Sequence, residues 1–367
     1  MERRKFLKGA VVGGTAAVAA SGLSAPAIAQ GKMEWRMVTS WPVNLPGPGT
    51  SAAWLADRIT KMSEGKLTVK VFGAGQLAPA AGVFDAVSQG AAEMYHSVPT
   101  YWRGKSAGIV LFGNMPFGLT ASEQHAWMLH GGGQALYDEM YGRFGLKGFL
   151  CGNTGNQWMG WFKKEIKSAE DFKGLRFRSP GLGGEMYRRM GASVVQLPGG
   201  EIYPALQSGT IDAAEFIGPW TDLALGFHQA AKFYYWPGVQ EPASAEECVI
   251  NKAKWDGLSD ELKLVIETAC AATYAYSTSE YIVRNPPALK TLVEKNGVQV
   301  RQAPEDVLIA AGNAAGEIMS ELRQDKDDLV RKIADAYVTF REGALENARY
   351  TELGMMQART LPYKFGG

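Results

Sequence analysis

The sequence predicts an α/β fold with mainly parallel sheets, and three observations carry that expectation. Short apolar runs, several alternating with polar residues, recur between residues 34 and 216. Helical-period segments closed by glycine separate them. Beyond Trp255 the pattern turns almost wholly helical. Alternation of this kind builds parallel sheets covered by helices, because parallel neighbours need a crossover connection.

Glu34 to Ser40 reads as the first strand, with Trp35, Met37 and Val38 apolar. Pro42 to Pro48 is a loop. Thr50 to Lys61 carries Ala53, Trp54 and Ile59 at helical spacing, and Gly65 ends that helix. Leu67, Val69 and Val71 alternate with polar residues, the period of a half-buried strand. Phe84 and Val87 mark a short helix before Gly90, and Ala92 to Val98 is again strand-like. Strands follow at Leu146 to Cys151, Leu175 to Arg178, Val194 to Leu197 and Ile211 to Phe216. Helices at Gly184 to Met190 and Ile202 to Leu206 lie between them, the second ended by Gly209. Near the end, Leu329, Ile333, Tyr337, Phe340, Ala344 and Ala348 form one face of a long amphipathic helix.

The chain opens Arg3-Arg4-Lys5-Phe6-Leu7-Lys8, runs through small apolar residues, and reaches Ala27-Ile28-Ala29. This is the pattern of a twin-arginine export leader with a cleavage motif, and it points to the periplasm. An uncleaved anchor is the weaker reading, because the stretch is rich in glycine and alanine and poor in bulky side chains. Cleavage after residue 29 would leave 338 of 367 residues, enough for two lobes or one large domain. The whole chain has a net charge of +1 and the leader a surplus of three, so the remainder is near −2. No basic patch dominates, which argues against a nucleic-acid partner. Cys151, Cys248 and Cys270 are odd in number and widely spaced, so they form neither a disulfide framework nor a zinc site. Three buried thiols are expected, with a single disulfide left open.

Gly104-Lys105-Ser106-Ala107-Gly108 matches a nucleophile elbow, and His130-Gly131-Gly132-Gly133 matches an oxyanion loop. Their order is reversed, and the elbow leads into Ile109-Val110-Leu111-Phe112-Gly113 rather than a helical pattern. Gly181-Leu182-Gly183-Gly184 lacks the third glycine of a dinucleotide fingerprint, where Met186 stands. His96, His125, His130 and His228 have no metal-protease spacing, and no calcium loop of the EF-hand type is present.

Three segments place polar groups at strand ends: Gly152 to Trp158, Gly174 to Gly181, and Gly209 to Pro219. In an open α/β sheet, ligands sit outside the carboxyl ends of strands. Arg178 occupies such a position, before Ser179-Pro180-Gly181, and its planar fork suits a carboxylate. On position alone it also reads as a salt-bridged surface arginine. Glu215 likewise reads as a surface carboxylate or as an inward ligand.

Taken together these segments resemble the solute-receptor subunits of TRAP (tripartite ATP-independent periplasmic) transporters. The similarity is to the subgroup that binds 2-oxo and 2-hydroxy monocarboxylates. It rests on the run Gly199 to Glu215, on Gly152-Asn153-Thr154-Gly155, Trp161-Phe162, Lys173 to Arg178 and Tyr234 to Gly238, and extends from about Trp35 to the C-terminus. The resemblance implies two α/β lobes around a cleft, joined by crossover strands. It implies lobe I over 30–153 with part of 243–290, lobe II over 154–242, and C-terminal helices over 291–367. By the same resemblance Arg178 grips the ligand carboxylate, with Tyr101 beside it and Asn153 in the ligand shell. Gln157, Glu215 and the Phe216 carbonyl would hold a sodium or calcium ion that bridges to the ligand, with Glu241 close by. No organic cofactor is implied. The implied partners are the TRAP membrane subunits and, in dimeric members, a second copy joined through exchanged C-terminal helices. A helix that only braces both lobes is the equal alternative. Phe216 stands where relatives often carry tryptophan, and Val239-Gln240 where two tryptophans are common.

The chemistry is compatible with these roles. A hard cation takes oxygen ligands, and a buried carboxylate needs its charge compensated. The sequence supplies no activated nucleophile and no matched acid–base pair. The expectation is a binding protein, and the rival is an exported hydrolase or cofactor-dependent oxidoreductase. A receptor serving chemotaxis without transport is a third reading.

Overall fold

The computed structural model describes residues 32–366, so the leader and its cleavage motif lie outside the described residues. The chain begins with β1 (Met33–Thr39), α1 (Pro48–Met62), β2 (Leu67–Phe72), α2 (Val83–Ser88) and β3 (Met94–Ser97). After α3 (Ala121–His130) and α4 (Gly133–Gly142) comes β4 (Leu146–Asn153). It then crosses to a second sheet through β5 (Gly160–Phe162), β6 (Arg176–Arg178), α5 (Gly181–Arg189), β7 (Ser193–Val195), α6 (Gly199–Ser208), β8 (Ala213–Ala214), α7 (Pro219–Leu225) and β9 (Phe233–Trp236). It returns with β10 (Ala245–Asn251), α8 (Lys252–Asp256) and α9 (Asp260–Glu294), and ends in β11 (Gln299–Gln302), α10 (Glu305–Leu322), α11 (Asp328–Tyr350) and α12 (Glu352–Arg359).

One sheet has the order β2-β1-β3-β10-β4 and the other β11-β9-β5-β8-β6-β7. Each anchors one lobe. Parallel pairs join β1 to β2 and β3, β6 to β7 and β8, and β11 to β9. Every antiparallel pair among the described strands involves β5 or β10. These are the first strands after the first two passages between sheets, so the mixed character arises from those crossovers. Residues 154–159 and 237–244 link the sheets, and the cavity described below opens beside them.

Local sequence explains the helix boundaries. Thr120 and Glu123 form a reciprocal capping box at the start of α3. Ser259 caps α9 by accepting from the Leu262 amide at 3.3 Å. Gly209 closes α6 in the left-handed conformation, φ 78°, which costs glycine little. The expected strand at Ile211 to Phe216 shrinks to two residues, because Glu215 turns to Arg178 and Phe216 leaves the sheet for the cavity. β5, β9, β10 and β11 had no clear signal. β11 adds to the second sheet although it lies beyond the expected lobe II span.

The 35-residue α9 spans both lobes. Its first half buries Leu262, Ile266 and Cys270 in the lobe I core, and Tyr281 and Leu292 belong to the lobe II core. α11 divides differently. Leu329, Ile333, Ala334 and Tyr337 are buried, whereas Leu345 and Tyr350 are exposed. α12 buries nothing. All three cysteines are free and buried. No helix among the described residues is long and apolar enough to cross a membrane.

Candidate ligand and cation site

Arg178 ends β6 and points into the space between the lobes with its side chain 1% exposed. Its Nε donates to the Leu197 carbonyl at 2.9 Å. Its Nη1 donates to the backbone carbonyl of Glu215 at 2.7 Å and to Glu215 Oε1 at 2.8 Å. Nη2 is buried and has no partner. The Phe216 ring lies 5.5 Å from the guanidinium carbon, a cation–π distance. The surface-arginine reading of this residue is therefore excluded.

Glu215 is fully buried, and its second carboxylate oxygen has no partner. Burial outweighs the nearby Arg178 charge and pushes its pKa up to about 7. Glu241 is also buried, and burial, reinforced by the like charge of Glu215, pushes it well above the ordinary carboxylate range. Its Oε1 is likewise unpartnered. Gln157 donates from Nε2 to Thr154 Oγ1 at 3.1 Å, which leaves its Oε1 without a partner. Thr154 is itself fixed, since its hydroxyl accepts from the Ser244 amide at 3.0 Å and donates to the Gly155 carbonyl at 3.1 Å. Tyr101 is half-buried on the same wall. Its hydroxyl pKa is raised by burial, against the opposing pull of Arg178.

Arg178, Gln157, Thr154, Tyr101, Phe216 and Glu241 line one cavity of about 30 Å³, and Glu215 stands beside it, bonded to Arg178. A void of that size is large enough to hold at least one water-sized group. Buried polar atoms are normally paired, so orphans gathered in one cavity call for a ligand. In the cavity they are one guanidinium N–H and the oxygens of Gln157 and Glu241, and beside it one oxygen of Glu215. The oxygen donors fit a hard cation and the N–H fits an anion. No group of three His, Cys, Asp or Glu side chains is placed for a metal among the described residues. The oxygen set reaches three through the Gln157 amide.

Asn153 does not line the cavity. Its amide donates to the Tyr274 hydroxyl at 2.9 Å, and its oxygen accepts from the Gly155 amide at 2.9 Å. It shapes the crossover turn instead of touching the cavity, which corrects the expectation from its motif. Gln240 is similarly structural, accepting from the Tyr187 hydroxyl and donating to the Trp158 carbonyl. Trp41, Thr100, Ser244 and Glu246 also line the cavity, and no motif pointed to them. The one available signal was a pair of adjacent carboxylates, Glu246-Glu247, in an otherwise apolar strand. Close packing of the lobes depends on Gly181, φ 58°, where a Cβ would overlap the Thr100 methyl. Ser106 and His130 lie outside the cavity, and a 3₁₀ turn follows the supposed elbow where a helix is required.

Comparison with known proteins agrees with this architecture. Residues 43–325 match the model of bacterial extracellular solute-binding protein family 7. A monocarboxylate 2-oxoacid-binding periplasmic protein of Nostoc is 37% identical over 96% of this chain and 97% of its own length. A TRAP transporter solute-binding protein from Bordetella bronchiseptica has 35% identity and a TM-score of 0.87, over 90% of this chain and 97% of its own. It was solved as a mixed-occupancy dimer with copurified calcium and picolinate. One from Pseudoalteromonas atlantica, with bound sodium and pyruvate, has 35% identity and a TM-score of 0.86, over 91% of this chain and all of its own. These are transport receptors and not enzymes. The chain belongs to bacterial extracellular solute-binding protein family 7, the solute-binding proteins of TRAP transporters.

Proposed function

We propose that this protein captures a small 2-oxo or 2-hydroxy monocarboxylate together with a sodium or calcium ion in the periplasm, and presents it to TRAP membrane subunits. The observation that carries this reading is one cavity where a buried guanidinium N–H and the oxygens of Gln157 and Glu241 lack partners, with an unpartnered Glu215 oxygen beside it. Arg178 holds the ligand carboxylate, and Tyr101 borders it. Gln157, Glu215 and Glu241, with the Phe216 carbonyl, hold the cation. The cation supplies charge that neutralises two buried carboxylates and attracts the ligand's oxygens. No bond is made or broken. The names and bound ligands of the relatives support the same ligand class.

Lobe I over 30–153 with part of 243–290, and lobe II over 154–242, would close around the ligand by movement at the crossovers. The twin-arginine leader would carry the chain across the membrane already folded. A homodimer is the second element of this proposal. Leu345, Tyr350, Leu353, Met355, Met356, Leu361, Tyr363 and Phe365 are all exposed at the C-terminal end, more apolar surface than a lone receptor needs. A thermal-shift screen of pyruvate, lactate and picolinate with and without Na⁺ and Ca²⁺ tests the ligand class. A true ligand at 100 times its Kd stabilises by about 2.7 kcal/mol. Absence of a shift with every acid and cation pair would refute it.

A further inference from the structure

Two adjacent glutamates on β10 are treated in opposite ways. Glu247 accepts hydrogen bonds from the Tyr95, Tyr137 and Tyr141 hydroxyls and the Trp102 indole. Its neighbour Glu246 is equally buried, and neither of its oxygens has a partner. Glu246 lines the cavity that contains Arg178. The pairing of β10 with β4 shifts register between these two residues, and an irregularity of this kind re-aims a side chain. Opposite Glu246 stands Gly152, where a Cβ would overlap Glu246 Oε2. The sheet is thus built to make room for an unpaired carboxyl group.

Its surroundings repeat the pattern. His96 Nε2 lies 3.7 Å from Glu246 Oε2, beyond hydrogen-bond distance, and neither ring nitrogen of His96 has a partner. Burial pushes the Glu246 pKa up to about 7 against a downward pull from the Ser51 and Ser277 hydroxyls, and the Ser51 hydroxyl completes no hydrogen bond. Trp41 lines the same cavity with an unpartnered indole N–H, its ring edge-on to His96 at 5.1 Å. Orphaned acceptors and an orphaned donor therefore coexist on this wall. A hydroxyl group can satisfy both kinds, whereas an ammonium group can only donate. Burying such groups unmet is costly, so a ligand that meets them is favoured.

We propose that Glu246, with Trp41 and His96 beside it, forms a second subsite in the cavity that takes a hydroxyl group on the distal carbon of a 2-oxo acid. The inference rests on the carboxylate-receptor reading and specifies its substrate class. Arg178 and the cation would hold the 2-oxo acid end, and the Glu246 wall would select the other end. A site built to hydrogen-bond a hydroxyl discriminates against analogues that lack it, because its own polar groups then stay unpaired.

The test is calorimetry of the calcium-loaded, leader-free protein with two ligand pairs: hydroxypyruvate against pyruvate, and 4-hydroxy-2-oxobutyrate against 2-oxobutyrate. In at least one pair the hydroxylated acid should bind about tenfold more tightly or better. In Glu246→Leu that ratio should fall to about twofold or less. Equal affinities within both pairs in the wild type would overturn the subsite while leaving the receptor reading intact. So would a preference that survives in Glu246→Leu. Failure of all four acids to bind would instead overturn the receptor reading and the subsite with it. The wild-type ratios decide the matter even if the variant does not fold.

Discussion

Arg178 donates from one nitrogen, Nη1, to two oxygens of a single residue, the backbone carbonyl of Glu215 at 2.7 Å and its Oε1 at 2.8 Å. The pair locks β6 to the end of β8 and leaves the other terminal nitrogen of Arg178 facing the cavity. Cation ligand and anion anchor are thereby held on one rigid unit. Losing either disturbs both.

Arg178→Lys should lose most carboxylate affinity, since an ammonium group cannot hold Leu197, Glu215 and a ligand in the same plane. Truncating one partner of a buried pair costs about 2–5 kcal/mol, and calorimetry should show a loss of that order. Unchanged affinity would remove Arg178 from the ligand site.

Glu215→Gln keeps the shape of the side chain and removes its charge. Glu215 is already pushed up to about 7 by burial, so the metal-free fold should tolerate the change. The stabilisation of the wild type by Ca²⁺ should largely vanish in the variant. An identical calcium-induced shift in Tm would show that Glu215 is not a cation ligand.

His96 gives a pH dependence of known sign. Burial lowers its pKa from 6.5 to about 3. Between these values the native state binds fewer protons than the unfolded chain, so stability rises with pH. The contribution is complete above pH 6.5 and is lost progressively as pH falls toward 3. Asp222, raised from 3.8 to about 6 by burial, acts in the opposite sense, so the comparison must be between variants. Going from pH 7 to pH 5, wild type should lose about 2 kcal/mol more than His96→Gln in chemical denaturation. Equal losses would mean that His96 is solvated in the native state.

The C-terminal end carries the dimer prediction. Ending the chain at Gly343 keeps the buried Tyr337 and removes Leu345, Tyr350 and α12. Light scattering should find the intact, leader-free protein dimeric at micromolar concentration and the shortened chain monomeric. A monomeric intact protein would leave α11 as an intramolecular brace only.

The α/β units were legible because β1, β2, β4 and β6 are bordered by glycine or helical patterns and place apolar residues at regular positions. The crossover strands were not. β5 has three residues and β9 four, too short to display a period, and β10 is buried throughout most of its length, so alternation disappears. At the site, Arg178, Gln157, Phe216, Tyr101 and Glu241 line one cavity and Glu215 is bonded to Arg178 beside it, but motif resemblance brought most of them to notice. Asn153 shows the limit of that route, since its motif is spent on the turn that positions Gln157. Glu246 was invisible because its role depends on a register shift and on the space left by Gly152, neither of which has a local sequence signature.

The central claim is that anion and cation share one cavity and depend on each other. Calorimetric titration of chelator-treated, desalted protein with pyruvate, with and without added Ca²⁺, tests it most directly. Saturable one-to-one binding in calcium that weakens by about 100-fold or more without a cation is the predicted result, because burial disfavours the charged forms of Glu215 and Glu241 and the ligand then loses the cation's pull on its oxygens. Equal affinity in the presence and absence of the cation would contradict the account.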